Sequence, residues 1–196
     1  MRRLWAALAR ARDGVAMLEF ALVAPVALLM AMGLCDIAYQ LYLQSVLAGL
    51  VQKVGRDATI QGASTSTLDD RMLATMLTVN NNLAWATGSP TRESYATFGT
   101  IAPEPFTDTN RNGIRDAGEC FTDVNGNGVW DADGGVAGNG GAGDMVVYTA
   151  SMTYPHLFPF GTWLGWPARA TITATTILKN QPYAAQQVST PATVCT

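Results

Sequence analysis

Residues 15–35 form an apolar run of 21 residues broken by a single charge, Glu19. As a helix rising about 1.5 Å per residue, such a run spans roughly 30 Å, one hydrocarbon thickness. Ala, Gly and Met are frequent in it, which makes it weakly hydrophobic and suited to packing against other helices. An ordinary secretory signal has a shorter apolar core of about 7–15 residues and a small-residue cleavage site, so the run reads as an anchor. A carboxylate at membrane depth is expensive and normally has a dedicated partner. Arg2, Arg3, Arg10 and Arg12 precede the run and Asp36 comes directly after it. The positive-inside rule therefore keeps the N-terminus cytoplasmic and exports the chain beyond residue 36. Beyond residue 14 the chain keeps 8 of its 12 basic and 14 of its 15 acidic residues, a net of −6. An acidic exported domain lacks the basic face that nucleic acid requires.

The helical pattern continues past the membrane. Ile37, Leu41, Val46, Leu50 and Val54 extend an apolar stripe, which predicts one helix over residues 15–60. Pro25 is expected to kink it, a feature membrane helices tolerate, and Gly62-Ala63-Ser64 to end it. A second helix is expected over 67–80, capped by Ser66 or Thr67, with Asp69 and Asp70 in its first turn. Its apolar face would be Leu68, Met72, Leu73, Met76 and Leu77. Residues 94–101, 145–154 and 168–178 then carry the β-branched and alternating content of strands. Together these predict an α+β fold: a long N-terminal transmembrane and amphipathic helix packed against a small antiparallel sheet.

Residues 155–167, PHLFPFGTWLGWP, are apolar, aromatic and Pro-rich. Two readings fit them: a loop folded over the sheet as a satellite core, or an exposed apolar surface. The exposed surface would meet the membrane interface, where Trp is favoured, or another subunit. Cys35, at the membrane end of the helix, reads as an inert apolar residue. Cys120 and Cys195 both lie in the exported part. They fit either a disulfide tying the C-terminal tail to the loop region, or two free thiols. Without that tie the polar tail, residues 184–196, is expected to be poorly ordered.

Residues 105–134 repeat with a period of 15: PFTDTNRNGIRDAGE, then CFTDVNGNGVWDADG. Oxygen side chains at loop positions 1, 3 and 5, Gly at 6 and an acid at 12 suit calcium, which takes six to eight oxygens around a sharp turn. In the first copy the ligands would be Asp108, Asn110, Asn112, the carbonyl of Ile114, Asp116 and Glu119. The second copy offers Asp123, Asn125, Asn127, the carbonyl of Val129, and Asp131. Its position 12 is Gly134, so the expectation there falls on Asp133, one residue early. Pro103 and Pro105 before the first loop, and GGVAGNGGAG after the second, are not EF-hand helices. The repeat is similar to the tandem DxNxNG calcium loops of exported bacterial proteins, dockerin-like and thrombospondin-repeat-like segments among them. The expected role is structural, with one or two ions bound at about 10⁻⁴–10⁻³ M. Without a cation the acidic side chains of this region, Glu104 included, would repel one another.

No enzyme constellation emerges. His156 is the sole histidine, flanked by Pro155 and Leu157. CxxC, GxSxG, P-loop and HExxH patterns are missing from the sequence. The Gly-rich stretch 134–143 reads as a linker.

The leader MRRLWAALARARDG, its closing Gly14, and Glu19 at the fifth position after it resemble a type IV prepilin. GVAMLEFALVAPVALLM is similar to the start of TadE-like proteins, the minor pseudopilins of the tight-adherence (Flp, type IVc) pilus. The ending agrees: a strand, an apolar Pro-containing loop, then a Thr/Ala-rich strand closing on Lys179, Asn180, Gln181, Pro182 and Tyr183. The resemblance covers about residues 14–62 and 144–183 and leaves the calcium repeat as an insertion. It implies cleavage by a prepilin peptidase after Gly14, Val15 as new N-terminus, and Glu19 as a subunit-docking acid. The domain organisation is then a leader at 1–14, the pilin-like helix at 15–62, an exported domain at 63–183 carrying the insertion 105–134, and a tail at 184–196. Implied partners are the peptidase, other pilin subunits, inner-membrane assembly proteins and lipid. The implied location is the bacterial inner membrane in a single pass, with the C-terminal domain in the periplasm, or outside the cell within a pilus. The major pilins are far shorter and carry Glu-Tyr where this chain has Glu19-Phe20, which favours a minor, non-enzymatic role in assembly or adhesion. The rival reading is an unprocessed, membrane-anchored, calcium-dependent adhesin.

Overall fold

The computed structural model describes residues 13–60, 64–158, 161–162, 165–182 and 190–195, with side chains from residue 16 onward. Residues 1–12 of the leader, the Gly62-Ala63 stop, Tyr183 and most of the tail lie outside the described residues. The chain divides into two compact units: Met1–Tyr42 with His156–Ala168, and Leu43–Pro155 with Arg169–Thr196. The fold is α+β.

Helix α1, Asp13–Ala58, runs through Pro25. In the first unit its apolar side chains face outward: Met17, Leu18, Phe20 and Leu22 are all exposed, and the helix is long and apolar enough to cross a membrane. In the second unit it buries Leu43, Leu47, Val51 and Val54, a stripe with helical spacing. That stripe corrects the sequence expectation. Ile37 and Leu41 are exposed, and of the anticipated face only Val54 is buried, because the side that meets the sheet carries Gln44. Its Nε2 donates to the Thr173 carbonyl at 2.5 Å. Gly55 permits the close approach, since a Cβ there would lie 2.5 Å from Leu178 Cδ1.

Helix α2, Thr65–Val79, begins two residues earlier than expected, with Ser64 at its N-cap and no side-chain cap bond. Asp69 therefore falls beyond the first turn and does not serve the dipole. It accepts from Arg92 Nη1 at 2.9 Å and from the Tyr148 hydroxyl at 2.8 Å, and the Arg92 guanidinium lies 4.3 Å from the Tyr148 ring centre. Burial, then the Asp69 carboxylate, push the Tyr148 hydroxyl pKa well above its ordinary value. Leu68, Met72 and Met76 are the buried face of α2.

The sheet is built on β5, Met145–Pro155. Strand β6, Arg169–Lys179, pairs with all of it, from Met145↔Lys179 to Pro155↔Arg169. Along the other edge lie β1, Ala84–Trp85, and β2, Thr91–Tyr95. Strand β4, Val136–Ala137, pairs with β2. All pairings are antiparallel. Side chains alternate as a half-buried strand requires: Val146, Tyr148, Ala150, Met152 and Tyr154 enter the core. On the opposite face hydroxyl pairs Thr149–Thr175 and Ser151–Thr173 meet at 3.0 and 2.8 Å.

Two expectations are corrected here. The strand expected at 94–101 ends at Tyr95 and gives way to a 3-10 turn, Phe98–Thr100. The Gly-rich stretch contains β4 and is fastened by Asn180, whose Nδ2 donates to the carbonyls of Asn139 and Gly141 at 2.6 and 2.8 Å. A separate ribbon pairs β3, Cys120–Asp123, with β7, Ala192–Cys195. A disulfide joins Cys120 to Cys195 across 75 residues.

Candidate functional site

The two copies of the 15-residue repeat lie against each other. Phe106 and Phe121 form an antiparallel bridge. Beside it the Thr107 N–H donates to the Cys120 carbonyl and the Thr122 N–H to the Pro105 carbonyl, both at 2.8 Å. Residues two places either side of an antiparallel bridge face each other. Asp108, which opens the first loop, therefore faces Glu119, and Asp123, which opens the second, faces Glu104.

Each loop folds around its first aspartate. Asp108 Oδ2 accepts from the Gly113 N–H at 2.8 Å, and Asp123 Oδ2 from the Gly128 N–H at 2.7 Å. These glycines sit at φ 78° and 76°, in the left-handed region that glycine adopts without steric penalty. The amides of Asn110 and Asn112 donate to Asp116 Oδ2 at 2.6 and 2.8 Å. Those of Asn125 and Asn127 do the same to Asp131 Oδ2 at 2.9 and 2.6 Å. The Ile114 and Val129 N–H groups donate to Asn112 and Asn127 Oδ1. Backbone amides of Asp116 and Thr109, with the Thr109 hydroxyl, hold the Glu119 carboxyl below its usual range. For Asp123 burial acts upward, and the amides of Gly128, Gly126, Asn127 and Asn125 outweigh it, so its pKa is also lowered.

The residue that sequence reasoning assigned no place in the loops is Glu104. Glu119 Oε1 accepts from the Thr109 N–H at 2.7 Å and Oε2 from the Asp116 N–H at 3.0 Å. Glu104 Oε1 accepts from the Val124 N–H at 2.8 Å and Oε2 from the Asp131 N–H at 3.1 Å. Val124 and Asp131 are the residues 15 after Thr109 and Asp116, so the two glutamates hold equivalent positions. The surroundings match as well. Arg115 Nη2 donates to the Glu119 carbonyl at 3.3 Å, and Trp130 Nε1 to the Glu104 carbonyl at 2.8 Å. Arg115 lies over the Phe121 ring, and Trp130 meets Phe106 edge to face.

Gly134, at position 12 of the second loop, leaves the space that Glu104 fills: a Cβ there would lie 2.6 Å from Val124 Cγ2 and 3.6 Å from Glu104 Cγ. Asp133 points elsewhere. Its Oδ1 accepts from the Tyr95 hydroxyl at 2.6 Å and from the Gly135 N–H at 3.1 Å. Burial, then this bond, raise the Tyr95 pKa far above its ordinary value. The sequence does hold the signal for Glu104. Glu-x-Phe-Thr-Asp occurs at 104–108 and again at 119–123, but a repeat framed from Pro105 cuts the first Glu away.

The arrangement gathers carboxylate and amide oxygens at both loops while backbone N–H groups occupy many of them. Among the described residues, no group of three or more His, Cys, Asp or Glu side chains is gathered as a metal-holding cluster.

In the other unit, Glu19 stands exposed on α1 among exposed apolar side chains. Gly14 and Val15 lie in its first turn. Cys35 is a free, exposed thiol. His156 Nδ1 and Asp36 Oδ2 are 2.5 Å apart.

Residues 14–56 match the family model described as TadE-like protein. No curated protein and no solved structure matches the chain.

Proposed function

We propose that this chain is a minor pilin-like subunit of a tight-adherence (type IVc) pilus, without enzymatic activity, acting in pilus assembly or adhesion. The observation that carries the reading is the TadE-like match over residues 14–56. It starts at the Gly that closes the basic leader and takes in Glu19 and nearly all of α1. In this reading a prepilin peptidase cuts after Gly14. The Glu19 carboxylate of one subunit then pairs with the freed amino group of Val15 in the next. Pairing inside lipid spares both subunits an isolated charge. The exported domain lies on the periplasmic side of the inner membrane or in the pilus. There it meets other pilin subunits and assembly proteins.

The repeat supports a second element of the proposal, calcium held as a structural ion in both loops. Asp108, Asn110, Asn112, the Ile114 carbonyl, Asp116 and Glu119 would form one site. Asp123, Asn125, Asn127, the Val129 carbonyl, Asp131 and Glu104 would form the other, Glu104 replacing the acid that position 12 lacks. Each carboxylate oxygen has two lone pairs, so an oxygen that accepts an amide can still face a cation.

Sequencing the N-terminus of the mature protein tests the assembly reading. A new terminus at Val15 is expected, and an intact Met1 would favour the unprocessed adhesin instead. Glu19→Ala is expected to stay in the membrane and be lost from purified pili. Its normal incorporation would remove the docking role.

A further inference from the structure

The apolar segment after β5 belongs to the same compact unit as the membrane-crossing part of α1, which comprises Met1–Tyr42 and His156–Ala168. Its attachment is specific. Asp36 Oδ2 meets His156 Nδ1 at 2.5 Å, and Asp36 Oδ1 accepts from the Leu157 N–H at 3.0 Å. Asp36 is the first charge after the apolar run, and a helix that spans the bilayer with residues 15–35 brings it to the membrane surface. A segment held on Asp36 by two hydrogen bonds therefore starts at that surface. The polar interfacial layer is about 5–7 Å deep on each side of the hydrocarbon, which a single loop can fill.

The segment's chemistry fits that layer. Residues 156–168 contain no Asp, Glu, Lys or Arg. Leu157 is 48 % and Trp166 59 % exposed. A local turn presents the Trp: the Trp166 backbone N–H donates to the Gly161 carbonyl at 3.0 Å, and a Cβ at Gly161 would crowd the Trp166 ring at 3.1 Å. Tryptophan favours the membrane–water boundary because its ring is apolar and its N–H polar.

We propose that the described residues of this segment, 156–158, 161–162 and 165–168, form a second membrane contact, an interfacial aromatic surface that enters the outer headgroup layer beside α1, presents Leu157 and Trp166 to it and is held there by Asp36. The proposal rests on α1 being a membrane anchor. The occupant is lipid, chosen over a second protein surface because the loop is continuous with the spanning segment and its pin is the residue at the membrane edge.

The test uses the full chain in lipid nanodiscs, labelled with 5-fluorotryptophan, each fluorine signal assigned by a single Trp→Phe change. A lipid-borne headgroup nitroxide should broaden the Trp166 signal severalfold more than that of Trp130 in the calcium-loop region. A water-soluble gadolinium chelate should do the reverse. Broadening of Trp166 by gadolinium alone overturns the proposal. Protection from both agents also overturns it, by placing the Trp against protein. Phe20→Trp reports separately on the anchor. If its signal escapes lipid-borne quenching, the anchor reading fails; if it is quenched and Trp166 is not, only the loop proposal fails. Asp36→Ala should reduce lipid-induced broadening of Trp166 severalfold while that of the Phe20→Trp reporter holds, and an unchanged Trp166 signal would remove Asp36 as the pin.

Discussion

The two repeat copies build the same geometry by different routes. The first loop takes its glutamate from its own end: Glu119 accepts from residues 10 and 3 positions earlier. The second takes Glu104 from residues 20 and 27 positions upstream of the amides it serves. The first is therefore a local device, closing only a short stretch of chain around a half-buried Asp108. The second is a clasp that holds the two ends of the whole repeat region together around a buried Asp123; the two glutamates are both buried, Glu104 at 1 % and Glu119 at 5 % exposure. Equivalent bonds thus carry unequal structural weight, set by the length of chain they close.

The largest expected effect comes from that inequality. Glu104→Ala leaves the Val124 and Asp131 N–H groups without their acceptor in a buried setting, at about 1–3 kcal/mol for each unmet donor. Urea unfolding of the full chain should show a larger loss for Glu104→Ala than for Glu119→Ala. Calorimetry at millimolar calcium should find two sites in the unaltered protein, one in either variant, and two in Asp133→Ala. A single site in Asp133→Ala with two in Glu104→Ala would reverse the assignment. Equal stability losses for the two glutamates would erase the contrast between clasp and local device.

How much of this was legible in sequence depends on the range of the interaction. The helix pattern and the β-branched, alternating content of β5 and β6 are local signals, and they read correctly as types of element. The side of α1 that enters the core was misjudged because several apolar stripes coexist on that helix, and only the sheet selects Leu43, Leu47 and Val51. The cap of α2 was misplaced because Ser64, Ser66 and Thr67 offer similar chemistry. Glu104 escaped because its partners lie far downstream and the repeat was framed one residue late. The β3–β7 ribbon escaped for the same reason, since nothing local marks residues 192–195 as a strand.

Acid should weaken both loops. Glu119 and Asp123 have pKa values lowered in the folded protein. Their contribution to stability is therefore complete above the unfolded carboxylate values, about 4, and is lost as pH falls from there through the lowered folded values. In calcium-free buffer the urea midpoint should be flat near neutral pH and drop below about pH 4. Glu119→Gln should make that drop shallower by removing one of the two titrating groups. A drop of unchanged steepness would show that Glu119 does not differ between the folded and unfolded chain.

The smallest effect concerns a left-handed backbone position that the two copies fill with different residue types. Arg111 has φ 61°, and its counterpart Gly126 has φ 82°. A left-handed conformation disfavours a residue with a Cβ by roughly 1–2 kcal/mol, while glycine adopts it freely and gives back part of that advantage through its greater freedom when unfolded. Arg111→Gly should thus stabilise the first loop by no more than about 1 kcal/mol. Gly126→Ala should destabilise the second by about 1 kcal/mol, and by strain alone, because a Cβ there meets nothing within 4 Å. Opposite signs for the two changes are the expected result in thermal or urea unfolding. The same sign in both would mean that the loops do not share the backbone path that makes their glutamates equivalent.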